Sequence, residues 1–545
     1  MQKNKIPFSP WPSELATIYR HKGYWQDKYL FDILKNTSQK YPNHTALICA
    51  ERQFTYRDIE YLSNNLANNL ANKGYGSGDT ALVQLPNVAE FYIVFFALLK
   101  AGIAPLNALY SHRQYELTKF AEQIQPNIII ASQHHEVFSN DDFIVSLREN
   151  SVEPSLVLKL DASEAEYSLT AWFEPFSNDT GRFSPSEPSD VAFFQISGGS
   201  TSVPKLIPRT HNDYEYSVRA SAEICQINLN TRLLCALPVP HNFMLSSPGA
   251  LGVFYVGGCV VLASSPEPSL CFSLIQKHQI SMVSLVPSAV IAWLTEAKST
   301  KQKLDSLQLM QVGGANFSEV LARQIPKIFG CKLQQVFGMA EGLVNYTRLD
   351  DDEELIFTTQ GYPLSPDDEI KIVDESNQPV LENQVGRLAV RGPYTFRGYY
   401  KNMSQNSQVF DKDGYYHTGD LVLMTADNYI KVVGRVKDQV NRGGEKIATE
   451  EIENLIMQHP DIQNVAIVAF ADEHFGEKSC AYVVTNNPKV NTVMLRRYLY
   501  QKGIAEYKLP DIVELIDDMP LTPVGKTDKK QLRNTLSNKL KTQKH

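Results

Sequence analysis

Cysteine is sparse and unpatterned. The seven residues among 545 show neither a CxxC pair nor Cys/His ligand spacing, so neither a zinc site nor a disulfide framework is indicated and a reducing cytoplasm is the expected compartment. There is no surplus of positive charge. A formal net charge of −8 at pH 7 argues against a nucleic-acid binder, which usually carries a basic stripe. Long apolar runs are missing too. Phe91 to Leu99 gives nine apolar residues between Glu90 and Lys100, well short of a membrane span. Leu245 to Ala263 is long enough and uncharged, but it contains Ser246, Ser247, Pro248 and four glycines. It is read as buried core, a packed turn and strand, and not as a membrane helix. The opening MQKNKIPFSPWPSE has no apolar segment after its lysines, so no secretory signal is expected. Internal repeats and low-complexity tracts are absent.

What is present is ordinary globular composition, 43% hydrophobic and 21% charged, in a chain too long for one core. A large body of two or three subdomains plus a smaller domain is expected. Helical periodicity at Phe31 to Tyr41, Ile59 to Lys73 and Ala89 to Ala101 alternates with strands at Thr80 to Leu85 and Asn127 to Ala131, which implies a parallel sheet covered on both faces. The alternation resumes with a helix near Tyr214 to Ile224, strands at Arg232 to Ala236 and Cys259 to Ala263, and a helix-strand pair over Pro268 to Val286. From Glu369 to Tyr399 short strands and turns (EIKIVD, GRLAVRG) mark a change to antiparallel structure. A small α/β unit ends the chain, with a helix at Glu450 to His459 for which Thr449 is the expected N-cap. A boundary is drawn near Arg435 to Lys437. From Lys437 onward there are 16 Lys and Arg against 15 Asp and Glu, a net of +1, which leaves −9 on the larger body. The small domain can therefore face phosphates without repulsion.

The chemistry centres on Val191 to Lys205, VAFFQISGGSTSVPK. An apolar strand breaks there into small and hydroxylated residues and ends on a lysine, offering backbone N–H groups, the hydroxyls of Ser197, Ser200 and Thr201, and a cation. It lacks the GxxxxGK[ST] order of a Walker loop, and alone such a loop suits a solvent-exposed turn as well as a phosphate cradle. Further on stand Gly313-Gly314-Ala315 after a short apolar strand, QVFGMAE from Gln335 to Glu341, YYHTGD from Tyr415 to Asp420, GRVKDQVNRGGEKI from Gly434 to Ile447, and PLTPVGKTDKK from Pro520 to Lys530. Taken singly, these are turns, surface carboxylates and charged linkers.

Taken in order over about residues 30 to 535, they resemble the adenylate-forming superfamily of acyl-CoA synthetases, peptide-synthetase adenylation domains and beetle luciferases. The resemblance implies an α/β fold: a large N-terminal domain, residues 1–436, of two α/β subdomains and a small β-barrel-like subdomain, then a small mobile C-terminal α+β domain, residues 437–545. It implies ATP and Mg²⁺ as cofactors. Ser197, Gly198, Gly199, Ser200, Thr201 and Lys205 would hold the phosphates, with Ser202 standing where the family usually has glycine. Gly313, Gly314, Ala315, Val336, Phe337 and Gly338 would lie at the adenine, Glu341 at the metal, and Asp420 with Arg435 at the ribose, where a carboxylate can accept from two adjacent hydroxyls. Lys437 would be the hinge, Gly443 and Gly444 would line a thiol tunnel, and Lys526 would be the catalytic lysine, an ammonium able to bridge the acyl carboxylate and the α-phosphate.

The acid pocket follows the same resemblance. His241, Asn242 and Phe243 follow Leu237-Pro238, and amino-acid-activating members carry an aspartate at the Asn242 position. An amide offers no charge to an ammonium but can hydrogen-bond a phenol ortho to a carboxylate. Asn242 with Ser247, Val336 and Val344 resembles the stand-alone aryl-acid ligases of catechol siderophore pathways, as does the run VFGMAEGLVNYTRLDD. The implied reaction is activation of 2,3-dihydroxybenzoate or salicylate to aryl-AMP with release of pyrophosphate. Transfer to a thiol would follow. With 19 residues after Lys526 and no phosphopantetheine-serine motif, that thiol is expected from another molecule, an aryl carrier protein or, alternatively, CoA. Neither nucleic acid nor membrane is an expected partner.

Overall fold

The computed structural model describes residues 4–162, 164–175, 183–197, 205–315, 317–442, 445–472, 474–502 and 504–543. Two largely parallel sheets form the body. One has six strands in the order Leu156–Leu160, Ile128–Ser132, Thr80–Gln84, Ala104–Asn107, Val191–Ile196 and Leu206–Thr210, with only the last pair antiparallel. The other has nine strands, parallel from Thr45–Cys49 at one side through Cys259–Leu262, Arg232–Cys235, Met282–Leu285 and Leu309–Gly313 to Lys332–Gly338, with antiparallel edges. Helices lie between them, and one hydrophobic core runs continuously through both.

That core explains the two apolar runs. Phe91 to Leu99 belongs to the helix Ala89–Ala101, every residue of which is buried, and it stops at Gly102 with φ 77. Only glycine is free there, because a Cβ would lie 2.7 Å from the carbonyl oxygen of Ser184. Leu245 to Ala263 corrects the expected turn and strand. It contains a helix, Gly249–Val256, before the strand Cys259–Leu262. The glycines that read as breakers sit largely at its ends, Gly249 at the start and Gly257 as the left-handed cap. Among the described residues no helix is long and apolar enough to cross a membrane.

The helix Tyr56–Asn72 starts on a capping box formed by Thr55 and Asp58. The expected cap at Thr449 is not made. Ala448 occupies the N-cap position and Thr449 is the first helical residue, its hydroxyl accepting from Lys529 Nζ at 3.1 Å.

The antiparallel unit expected as barrel-like is four strands in linear order, Glu369–Val373, Gly386–Arg391, Tyr416–Met424 and Ile430–Arg435. It docks on the nine-stranded sheet through Gln360 and Gly361: Gln360 N–H donates to Ile430 O and Ile430 N–H to Gly361 O, both at 2.8 Å. A further sheet of five strands, drawn from residues 440–515, carries separate cores on its two faces.

Gly361 has φ 73, and a Cβ there would lie 1.9 Å from the Tyr346 carbonyl group. Gly74 has φ 84, and a Cβ there would meet nothing within 4 Å. Gly74→Ala should therefore cost about 1–2 kcal/mol of backbone strain, and Gly361→Ala more than about 3 kcal/mol because backbone must move as well. Thermal unfolding of the two variants side by side checks this; equal shifts would contradict it.

Candidate active site

The site lies at the C-terminal ends of the parallel strands, where open α/β sheets commonly take ligands. Its floor is backbone. Gly313 and Val336 are register partners on adjacent strands. A Cβ on Gly313 would come 2.7 Å from Val336 O and 3.2 Å from Phe243 Cζ, so glycine lets the aromatic ring and the strand close on each other. Gly314 turns with φ 85, and its missing Cβ leaves a place 3.4 Å from Lys526 Cε. Ala315 is exposed at the rim of the same cleft, which has a volume of about 290 Å³.

Lys526 comes from the C-terminal portion and is delivered on a tight turn. Thr522 N–H donates to Lys526 O at 2.7 Å, and Lys526 N–H to Thr522 Oγ1 at 3.1 Å. Ser288, at the start of the helix Pro287–Glu296, donates to Gly525 O at 2.5 Å and ties that turn to the body. Burial lowers the Lys526 pKa, the Arg435 and Lys437 charges push the same way, and Asp420 and Glu341 oppose them. Sequence positions up to 185 residues apart thus share one electrostatic field.

His241 caps the short helix Asn242–Ser246, its Nδ1 accepting from Phe243 N–H at 3.3 Å. Burial, with a smaller contribution from the Lys526 charge, pushes the ring's pKa down to about 3. It is therefore neutral, and with Nδ1 accepting, its proton sits on Nε2.

Asp420 and Arg435 are cross-strand partners. Arg435 Nε lies 2.8 Å from Asp420 Oδ1, and Asp420 N–H donates to Thr418 Oγ1 at 3.0 Å. Glu341 is buried and accepts from Tyr399 Oη–H at 2.8 Å through Oε1; the same hydroxyl lies 3.0 Å from Tyr416 Oη. Lys205 Nζ stands over the Tyr399 ring, 5.1 Å from its centroid. Among the described residues no group of three or more His, Cys, Asp or Glu could hold a metal alone. A single carboxylate beside a lysine fits a Mg²⁺ whose remaining ligands are phosphate oxygens and water.

Of the residues expected at the acid pocket, Phe243, Ser247, Val336 and Val344 are buried and Asn242 is half-buried. Val344 pairs with Gly338, and a Cβ there would be 3.3 Å from its side chain. Phe337 is half-buried at the strand end. Asn242 Oδ1 accepts from Tyr214 Oη–H at 2.8 Å. Lys437 lies in the short 3-10 turn Val436–Asp438, and burial lowers its pKa. The next residue, Asp438, pairs with Arg533. Ser197 is buried, with its N–H on Lys205 O at 3.0 Å. The remaining loop positions Gly198, Gly199, Ser200 and Thr201, along with Ser202, and the pair Gly443 and Gly444, lie outside the described residues.

Tyr399, Tyr214 and Ser288 were not singled out from the sequence. The aromatic RGYY at Arg397 to Tyr400 and the Pro-Ser after the buried strand Met282–Leu285 were the signals available.

Residues 34–400 match the model of the AMP-binding enzyme family, and residues 451–526 that of the AMP-binding enzyme C-terminal domain. The chain is 57% identical over 532 residues to pseudomonine synthase PmsE of Pseudomonas entomophila, covering 98% of this chain and 87% of that one. It is 47% identical over 529 residues to the vibriobactin-specific 2,3-dihydroxybenzoate-AMP ligase of Vibrio cholerae, covering 96% and 97%. The apo structure of Mycobacterium smegmatis MbtA superposes with a TM-score of 0.74 at 39% identity, covering 97% of this chain and 98% of that one. Matches to both models and relatives 47% and 57% identical over nearly the whole chain make this protein a member of the AMP-binding, adenylate-forming enzyme family.

Proposed function

We propose that this enzyme joins an aryl acid with an ortho hydroxyl, 2,3-dihydroxybenzoate in preference to salicylate, to AMP, and then passes the aryl group to the phosphopantetheine thiol of an aryl carrier protein supplied in trans, in siderophore biosynthesis. The carrying observation is the neutral amide of Asn242, held by Tyr214 and followed by Phe243, whose ring meets Val336 at Gly313, next to the Gly314 that Lys526 approaches. An amide cannot neutralise a substrate ammonium, and apolar walls suit a flat ring. The Vibrio cholerae relative named for 2,3-dihydroxybenzoate supports the same acid class.

In the first half-reaction a carboxylate oxygen bonds to the α-phosphorus of ATP as the bond to the bridging oxygen breaks and pyrophosphate leaves. Lys526 holds the carboxylate and α-phosphate oxygens together as charge develops between them. Ser197 to Lys205 hold the departing phosphates. Asp420, oriented by Arg435, accepts from the ribose hydroxyls, and His241 offers Nε2–H to an oxygen beside Lys526. Gly313 to Ala315 and Val336 to Gly338 flank the adenine. Glu341 and the phosphates would hold Mg²⁺, which supplies charge neutralisation.

In the second half-reaction the thiol sulfur bonds to the acyl carbon, AMP leaves and the thiol proton passes to solvent. Residues 437–545 turn about Lys437 between the two steps, withdrawing Lys526 and bringing Gly443 and Gly444 to the thiol's path. Such hinge motions run on roughly the microsecond to millisecond scale.

Lys526→Ala should slow adenylate formation by at least about a hundredfold while transfer from supplied aryl-AMP stays within a few-fold of wild type. Single-turnover assays of each half-reaction separate the two, and equal losses would contradict the hinge scheme. Asn242→Asp should reduce kcat/KM for aryl acids by about thirtyfold, roughly 2 kcal/mol, through a buried charge with no partner; an unchanged KM would remove Asn242 from the pocket. Offered CoA and a phosphopantetheinylated carrier side by side, the enzyme should release AMP faster with the carrier. Faster release with CoA would reassign the acceptor.

A further inference from the structure

Asn242 decides which acid is read only if its amide has a fixed direction, since the group carries an acceptor on one side and donors on the other. Its Oδ1 is occupied by Tyr214 Oη–H at 2.8 Å, with Ser246 Oγ at 3.4 Å from the same oxygen. Its Nδ2 has no partner among the described residues and is not among the fully enclosed unpaired atoms. We infer that Tyr214 is a positioning residue that turns the Asn242 carbonyl toward the protein and leaves its NH₂ as a donor to the pocket, so that the enzyme selects acids with an acceptor oxygen ortho to the carboxylate. This rests on the aryl-acid reading above and adds what sets the direction of recognition.

Tyr214 is built to hold still. Its ring is buried, packs edge-on against Phe193 with centroids 4.7 Å apart, and has the Arg209 guanidinium 5.1 Å from its centroid. Arg209 is itself fixed, by Asp213 at 2.9 Å and by the carbonyls of Ala340 at 2.8 Å and Tyr394 at 3.1 Å. The direction of the hydroxyl proton is set from behind. Gln195 Nε2 donates to Tyr214 Oη at 3.2 Å, which occupies the oxygen as acceptor and sends its own proton to Asn242. Burial pushes the phenol's pKa up to about 12, so it remains a donor throughout the working range. Gln195 lies two residues before Ser197, on the strand Val191–Ile196 that leads into the phosphate loop. The line Gln195 to Tyr214 to Asn242 therefore fixes the acid's recognition group to the strand that presents the phosphates.

The test is ATP/pyrophosphate exchange with salicylate, 2,3-dihydroxybenzoate and benzoate, for wild type and Tyr214→Phe, which keeps the ring. Wild type should prefer the two ortho-hydroxy acids. The variant should lose about tenfold in kcat/KM for them, mainly in KM, as expected for one lost hydrogen bond, while benzoate changes less than twofold and the KM for ATP is unmoved. Gln195→Leu, one step further back, should give the same acid-dependent signature at about threefold and covers the case in which Tyr214→Phe fails to fold. Equal losses for benzoate and salicylate, or no loss with either acid, would overturn the inference. A wild type that activates aryl acids without preferring ortho-hydroxy ones overturns it and leaves aryl-acid activation standing; a wild type that activates no aryl acid overturns both.

Discussion

Two anions have to be brought together for an acid to be adenylated, and their repulsion is the constraint the rest of this site answers. A permanent cation between them would also hold the product. The cation here is Lys526, which comes from beyond residue 437 and lies over a glycine at the end of a strand in the other part of the molecule. Its desolvation, which lowers its pKa, is opposed by Asp420 and Glu341. The same two carboxylates that serve the ribose and the metal in the proposed reaction thus help keep the ammonium charged before ATP arrives.

The remaining features follow from making that encounter precise in space while leaving the lysine removable. Two glycines shape the floor beneath it: Gly313 admits Phe243 where a Cβ would collide with Val336 O, and Gly314 turns with φ 85 beneath the lysine stem. Among the described residues, the Ser288 hydroxyl on Gly525 O is a direct hydrogen bond from the body to the lysine's own turn. A single hydrogen bond is worth about 1 kcal/mol, a strength suited to the contact being made and broken in each cycle of the proposed reaction. By contrast, Arg209 within the body is held three ways, by Asp213, Ala340 and Tyr394.

Much of this could be read from the chain alone, for physical reasons that differ by element. Ala89–Ala101 announces itself because nine apolar residues between Glu90 and Lys100, closed by Gly102, have few other readings. The pairing of Asp420 with Arg435 was legible as two motifs, and the register of adjacent strands brings them to 2.8 Å. The helix Gly249–Val256 was hidden because its glycines sit chiefly at caps, where they look like breakers. Thr449 failed as a cap because the helix starts one residue earlier, with Ala448 at the N-cap, which leaves the Thr449 hydroxyl to Lys529, eighty positions away. Tyr399 and Ser288 were missed for the same reason: each acts through a partner distant in sequence, Glu341 and Gly525, and no local pattern encodes such a meeting.

The most direct measurement of the central claim is ATP/pyrophosphate exchange by the wild-type protein across substituted benzoates and amino acids at fixed MgATP. The account predicts exchange with ortho-hydroxybenzoates, highest with 2,3-dihydroxybenzoate, and none above background with amino acids. Exchange driven by amino acids and absent with every aryl acid would contradict it.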